Sequence, residues 1–463
     1  MGIPLDKITH RLTEDLTTSA TADETVPAKA VLPQEYTGAS YVWVQPMGED
    51  TYVEGGAYGR TGFNFPTAAT EILDSTTVAA STSVKLTDSL YVVGLVVANT
   101  SFTAYAVSVD GTTLTAGSAV QVNGGTNGTT ATDTDSVSMC RISDTVFAAV
   151  YRDEAGDDYI CARCGTVSGT TITMGTEVVI YSAGAATEDE TACCYVNGCL
   201  VAAFADTDDD LGVIATPTST AGVIGTPGSI DEVSGEAPSM VSIAPCGANK
   251  VFLAYADGAD GLLDGCVATV SAAGVVAAGT PADLHAKAPT MTRVRQLATD
   301  KVAVGYIEST TSNDPYVVVC TVSTTTITAG TPVAIAAATA TDFDMDIVDD
   351  TLGYVAWCDD AHGSDVGYIS AFSMSSTTVT ASSVIDKFVD STAKLGTLPV
   401  MGLSAGNDDK VFISYAGTGA DLYAIAGQYH SDNRIVDVRS GATSATYDLL
   451  AIPIFSTSDE IGE

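Results

Sequence analysis

The sequence predicts an all-β fold, a seven-bladed β-propeller of four-stranded antiparallel blades, and three observations predict it. A Thr-rich turn followed by a glycine recurs along the chain. A run of apolar residues ending in an aromatic recurs in step with it. Between the two, no helical period of comparable length appears, while two-residue alternation is common.

The first marker is CTVSTTTITAGTPV, residues 320–333, with Gly330 as its reference point. Related stretches place Gly117, Gly175, Gly225, Gly279 and, in degenerate form, Ser382 at the same point. Successive spacings are 58, 50, 54, 51 and 52 residues. The second marker ends at Tyr151, Phe204, Tyr255, Tyr306, Trp357 and Tyr415, with a first copy near Leu95 that lacks the aromatic. Two markers keeping step along a chain define a repeat, and seven copies run from about residue 83 to 438.

Each copy holds about four strands. In NKVFLAY, Val251, Leu253 and Tyr255 fall on one face and Phe252, Ala254 and Ala256 on the other, as in a strand covered on both sides. A period near 50 residues suits a propeller blade; an immunoglobulin-like sandwich needs about 100 residues per unit. The Thr-Ile-Thr segments read as outer strands, where β-branched residues suit a half-exposed pleated surface.

The ends fall outside the repeat. Leu5, Ile8, Leu12 and Leu16 lie at helical spacing, which predicts an amphipathic helix in an N-terminal arm over residues 1–36. Residues 37–82 form a non-repeat β segment that either anchors the molecule or closes the ring, with anchoring favoured because the arm is long. Residues 439–463 read as a C-terminal strand and tail.

Among the 463 residues, 57 Asp and Glu stand against 18 Lys and Arg, a formal net charge of −39. Such a field repels nucleic acid and anionic lipid, so neither is an expected partner, and no stretch is long enough to insert in a membrane. The acidity fits a high-salt habitat, where screening relieves self-repulsion, and equally an acidic surface kept soluble in ordinary medium. Ten cysteines are too few for a disulfide scaffold, and several sit in apolar runs as small buried hydrophobes. The pair Cys161 and Cys164 has zinc-like spacing, but its strand context and the lack of a nearby histidine speak against a metal.

Acidic residues follow the aromatic-ended strand in several copies: Asp153 to Asp158, Asp206 to Asp210, Asp257 to Asp264, and Asp359 to Asp365. Antiparallel geometry places all these turns on one rim. Asp206, Asp208 and Asp210 alternate as calcium ligands do, which makes calcium the one candidate cofactor; against it, the glycine falls a place later than in an EF-hand loop and Pro217 occupies the twelfth position. Gly402 to Gly406 matches G-x-S-x-G but precedes another strand, and the four histidines, His10, His285, His362 and His430, are widely separated. No catalytic residue is expected, and the chain reads as a non-enzyme.

The VSGTTITMGTEV and TVSTTTITAGTPV units, with the NKVFLAY and DKVAVGY strands between them, resemble repeats in propeller-type structural proteins of tailed viruses of bacteria and archaea. The likeness spans residues 83–437 and is one of repeat style. It implies a virion surface protein of capsid or tail, assembled in the host cytoplasm. There it would be held to other virion proteins through the N-terminal arm, as a homo-oligomer within a larger assembly, and would face a host glycan or receptor. Two alternatives stand beside it: a glycan-binding or glycan-cleaving cell-surface propeller, and a calcium-dependent adhesion module.

Overall fold

In a computed structural model of the chain, every regular element among the described residues is a β-strand. The described residues are 12–14, 28–31, 41–43, 60–65, 69–73, 78–97, 101–124, 132–153, 159–182, 191–206, 210–233, 238–258, 260–310, 312–359, 366–389, 401–405, 410–416, 421–438, 447–449 and 452–454.

Each repeat forms one antiparallel sheet whose strands follow chain order from the axis outward. Blade 1 begins with Val78–Thr87, blade 2 with Thr132–Ser143 and blade 3 with Ala192–Val196. Blades 4, 5, 6 and 7 begin with Pro238–Gly247, Pro289–Ala298, Ala340–Ile347 and Met401–Ala405. These innermost strands touch in sequence around the axis, and that of blade 7 touches that of blade 1, so the ring closes.

The alternation in each second strand has a direct structural outcome. Val251, Leu253 and Tyr255 pack into the cluster between blades 3 and 4, while Phe252 and Ala254 pack into that between blades 4 and 5. The same division yields a buried apolar cluster at each of the seven blade interfaces, including blades 7 and 1, where Tyr91 stacks on Phe412 with ring centroids 4.5 Å apart. A lone blade would leave both faces wet; stacking around an axis covers them.

The recurring glycine is explained by the same packing. Gly330 follows the Thr326–Ala329 strand of blade 5, and a Cβ added there would lie 2.5 Å from the Thr377 carbonyl oxygen in the outer turn of blade 6. Gly279 in blade 4 meets Thr325 of blade 5 in the same way. A side chain at these points would hold neighbouring blades apart.

Blade 7 takes its outermost strands from the other end of the chain. Its third strand, Leu422–Val438, pairs with Arg60–Asn64 through Tyr429 and Phe63, and with Thr70–Leu73 through Leu422 and Leu73. Within the 37–82 segment, these two strands therefore close the ring, because the long third strand would otherwise present an unpaired edge. The chain ends also pair with each other: Ala28–Val31 with Ile435–Val438, Tyr41–Trp43 with Ile452–Ile454, and Leu12–Glu14 with Tyr447–Leu449.

The last pairing corrects the predicted helix at Leu12. Leu12 to Glu14 is a strand, since a partner edge at Tyr447–Leu449 satisfies its backbone, whereas one isolated short helix in water is marginal. Leu5, Ile8 and Leu16 lie outside the described residues.

Candidate functional site on the acidic rim

The turns between second and third strands share one rim, and each of five blades opens its turn with a buried acid. Asp153, Asp206, Asp257, Glu308 and Asp359 each lie two residues beyond the strand-ending aromatic. The carboxylates of Asp206, Glu308 and Asp359 accept backbone N–H groups. Asp206 Oδ1 accepts the Asp210 N–H at 3.1 Å, and Glu308 Oε1 accepts the Thr310 N–H at 2.6 Å with Lys287 Nζ at 3.4 Å. In these blades the first acid of the turn thus fastens the rim.

This bears on the expected calcium ligands. Asp206 is buried and capped onto its own turn, Asp210 is half-buried, and Asp208 lies outside the described residues. Among the described residues no group of three His, Cys, Asp or Glu side chains is placed to hold a metal.

On the same rim, blades 5, 6 and 7 carry stacked aromatic pairs formed by strand register. Tyr306 pairs with Tyr316, Trp357 with Tyr368 and Tyr415 with Tyr423. Their ring centroids are 5.6, 5.8 and 5.9 Å apart and the rings lie within 23° of parallel. The second-strand ring is buried in each pair, while the third-strand tyrosine is half-buried. Blades 1 to 4 have Thr103, Cys161, Gly212 and Asp264 in the third-strand place, so the aromatic arc covers one side of the ring.

The groove between blades 4 and 5 adds a polar edge to this surface. His285 ends the outer strand Ala282–His285 of blade 4. Its ring lies 5.6 Å from Tyr306 and 5.7 Å from Tyr316, and its Nδ1 is 2.6 Å from the Tyr306 hydroxyl. Burial, with Tyr316 and Glu308 nearby, holds the Tyr306 phenol well above its ordinary range, so it stays protonated and donates to Nδ1. Burial, and then the Lys287 ammonium, push the His285 pKa down against an opposing pull from Glu308. At neutral pH the imidazole is uncharged, carries its proton on Nε2 and can donate it to a ligand. In blade 6, Lys387 sits 5.8 Å above the Tyr368 ring.

The other sequence candidates lead away from catalysis. Ser404 lies in the innermost strand Met401–Ala405 of blade 7, not in a strand-to-helix elbow. His10 and His362 lie outside the described residues, while His430 is buried in the third strand of blade 7, two strands out from Ser404. All ten cysteines are buried and unbridged. Burial pushes Cys161, Cys164 and Cys320 up to about 12, so they are thiols at neutral pH.

No protein-family model matches the chain, and neither does any curated protein. Solved structures do match by fold. The BP39L lectin from Burkholderia pseudomallei superposes with a TM-score of 0.57 at 11% identity, over 77% of this chain and 99% of its own. AofleA from Arthrobotrys oligospora gives 0.45 at 11% identity, covering 74% and 96%. The WD40 domain of coronin from Toxoplasma gondii gives 0.42 at 10%, covering 86% and 91%. At such identities the likeness is one of fold, and the first of these carries it: the chain is a seven-bladed propeller.

Proposed function

We propose that this chain is a non-enzymatic, glycan-binding propeller whose sugar docks on the rim between blades 4 and 5. The observation that carries the reading is the half-buried Tyr316, stacked on Tyr306 and edged by the Nε2–H of His285. A pyranose has an apolar face and a polar circumference. Tyr316 matches the first, and His285 with Lys287 supplies donors for the second. The fold likeness to a protein named as a lectin supports the same reading. With Nδ1 occupied by the Tyr306 hydroxyl, His285 is held in place to present Nε2 as a donor, and the binding role rests on that.

A glycan array on the full chain tests this, with labelled glycans assayed in parallel for hydrolysis. Binding to a restricted set of neutral glycans without turnover is expected, and at least tenfold weaker binding by Tyr316→Ala and His285→Ala. An array at background for the native chain would reject the reading.

The repeat style carries a second proposal, display on the surface of a tailed virus. It is supported by the pairing of segments from the two ends of the chain, one of which, Ala28–Val31, lies along the third strand of blade 7. Deleting residues 1–36 should leave the ring folded, because Arg60–Asn64 and Thr70–Leu73 still close it, while abolishing incorporation into particles. Incorporation that survived the deletion would remove the anchoring role.

A further inference from the structure

Two of the ten cysteines stand apart from the rest. Cys140 and Cys193 are 9% and 7% exposed, more than the other eight, none of which exceeds 4%. Both line the cavity of about 320 Å³ that the innermost strands of blades 1 to 6 enclose around the axis. Cys140 lies on the innermost strand of blade 2 and Cys193 on that of blade 3, and both pack into the cluster between these blades.

Their mutual placement follows from a contact that the repeat uses twice. The Cys193 N–H donates to Ser138 Oγ at 3.1 Å, and at the interface of blades 4 and 5 the Val294 N–H donates to Ser242 Oγ at 3.0 Å. Cys140 lies two residues beyond Ser138, on the same face of its strand, as Ala244 lies two beyond Ser242. Ala244 and Val294 pack into one cluster, and so do Cys140 and Cys193, with sulfur on both sides of the interface instead of carbon. The Cys140 thiol donates to the Cys193 sulfur; this bond, with burial, holds the Cys140 proton well above the ordinary thiol range. The nearby thiols each lack one part of this arrangement: Cys194 packs on the far side of blade 3, between blades 3 and 4, and Cys164 does not line the cavity.

We infer that Cys140 and Cys193 are a redox pair, converted by peroxide into a disulfide that ties blade 2 to blade 3 at the axis. Hydrogen peroxide is small and uncharged, so the cavity admits it and a chain of charge −39 does not repel it. Cys193, the acceptor of the thiol–thiol bond, attacks as its thiolate. Its sulfur bonds to one peroxide oxygen, the O–O bond breaks, and the departing hydroxide takes up the proton that Cys193 released, leaving as water. The Cys140 sulfur then attacks the Cys193 sulfenic acid: the S–S bond forms, the S–O bond breaks, and the second hydroxide leaves with the Cys140 proton as water. The two sulfurs lose two electrons and the peroxide gains them. Since the thiols already meet, the cross-link is expected within the native fold. The pair lies on blades 2 and 3, away from the rim between blades 4 and 5, and the inference stands without the glycan proposal.

The test uses the full folded chain: treatment with hydrogen peroxide, blocking of the remaining thiols with iodoacetamide, digestion without reductant and mapping by mass spectrometry. One cross-linked pair of peptides is expected, joining Cys140 to Cys193 and released by dithiothreitol. The oxidised chain should melt at a higher temperature than the reduced one, because the link joins segments distant in sequence. Cys164→Ala should keep the link. Cys140→Ala and Cys193→Val, which place at the two positions the residues found between blades 4 and 5, should each abolish both the link and the shift in melting temperature. The inference is overturned if peroxide leaves both thiols open to alkylation, if it carries them separately to sulfinic or sulfonic acid, or if it joins either of them to a different cysteine. It is equally overturned if the oxidised chain melts below the reduced one, or if the link forms only after unfolding in guanidinium chloride.

Discussion

His285 shows how one side chain ties the rim to pH. Its pKa is lowered in the folded state by burial and by Lys287, so the unfolded chain takes up the proton first as pH falls. Stability from this group is fully present above the unfolded value near about 6.5 and is lost progressively below it, until the folded imidazole protonates. The melting temperature should therefore drop between pH 7 and pH 5, and drop less in His285→Gln; parallel profiles for the two proteins would show that His285 is not the group responsible. Glycan affinity should fall only at the lower end of that window, where the folded imidazole itself protonates and can no longer accept the Tyr306 hydroxyl. None of this was legible in the sequence. His285 is one of four scattered histidines, and its partners come from a different blade. The arc of Tyr316, Tyr368 and Tyr423 escaped notice for a related reason: the turns before these residues differ in length, so their common register with the strand-ending aromatics appears only once the strands are paired.

At the scale of elements, the sequence was far more informative, because blade geometry is imposed by local pattern. Two-sided burial of the second strands recurs from blade to blade, and Gly117, Gly279 and Gly330 each face the outer turn of the next blade, at Thr170, Thr325 and Thr377. What the period could not reveal was pairing between distant segments. The strands Arg60–Asn64 and Thr70–Leu73 look unlike blade strands since they complete a sheet begun at the opposite end of the chain. Leu12 likewise has helical spacing, and a strand partner at Leu449 overrides it. The acids of the rim turns were visible as a cluster, but their use as backbone caps was not, since capping depends on where the turn folds back. The glycine contact gives a direct test. Gly330→Val places branched carbon against the Thr377 carbonyl of blade 6, and overpacking of this kind costs about 1–3 kcal/mol. A shift of the denaturant midpoint to lower concentration with unchanged slope is expected; an unaltered midpoint would mean that the blades do not meet there.

For the whole molecule, charge and fold pull in opposite directions. The chain carries 57 acidic residues against 18 basic ones, and their repulsion opposes the compaction of a closed ring with a buried apolar cluster at each interface. Screening shortens the reach of that repulsion to about 8 Å near 0.15 M ionic strength and about 3 Å at 1 M. The melting temperature should rise steadily with sodium chloride between these concentrations; a flat or falling profile would show that the acidic surface is not a burden on the fold. The proposed partner is compatible with this field, since a neutral sugar is not repelled by it. The central claim is that a neutral glycan binds where Tyr316 and His285 meet, and a structure of the full chain with an array-selected glycan tests it most directly. The account predicts a pyranose ring lying over Tyr316 with a hydroxyl at His285 Nε2, between blades 4 and 5. A glycan found instead on blades 1 to 3, where Thr103, Cys161 and Gly212 replace the aromatic, would contradict it.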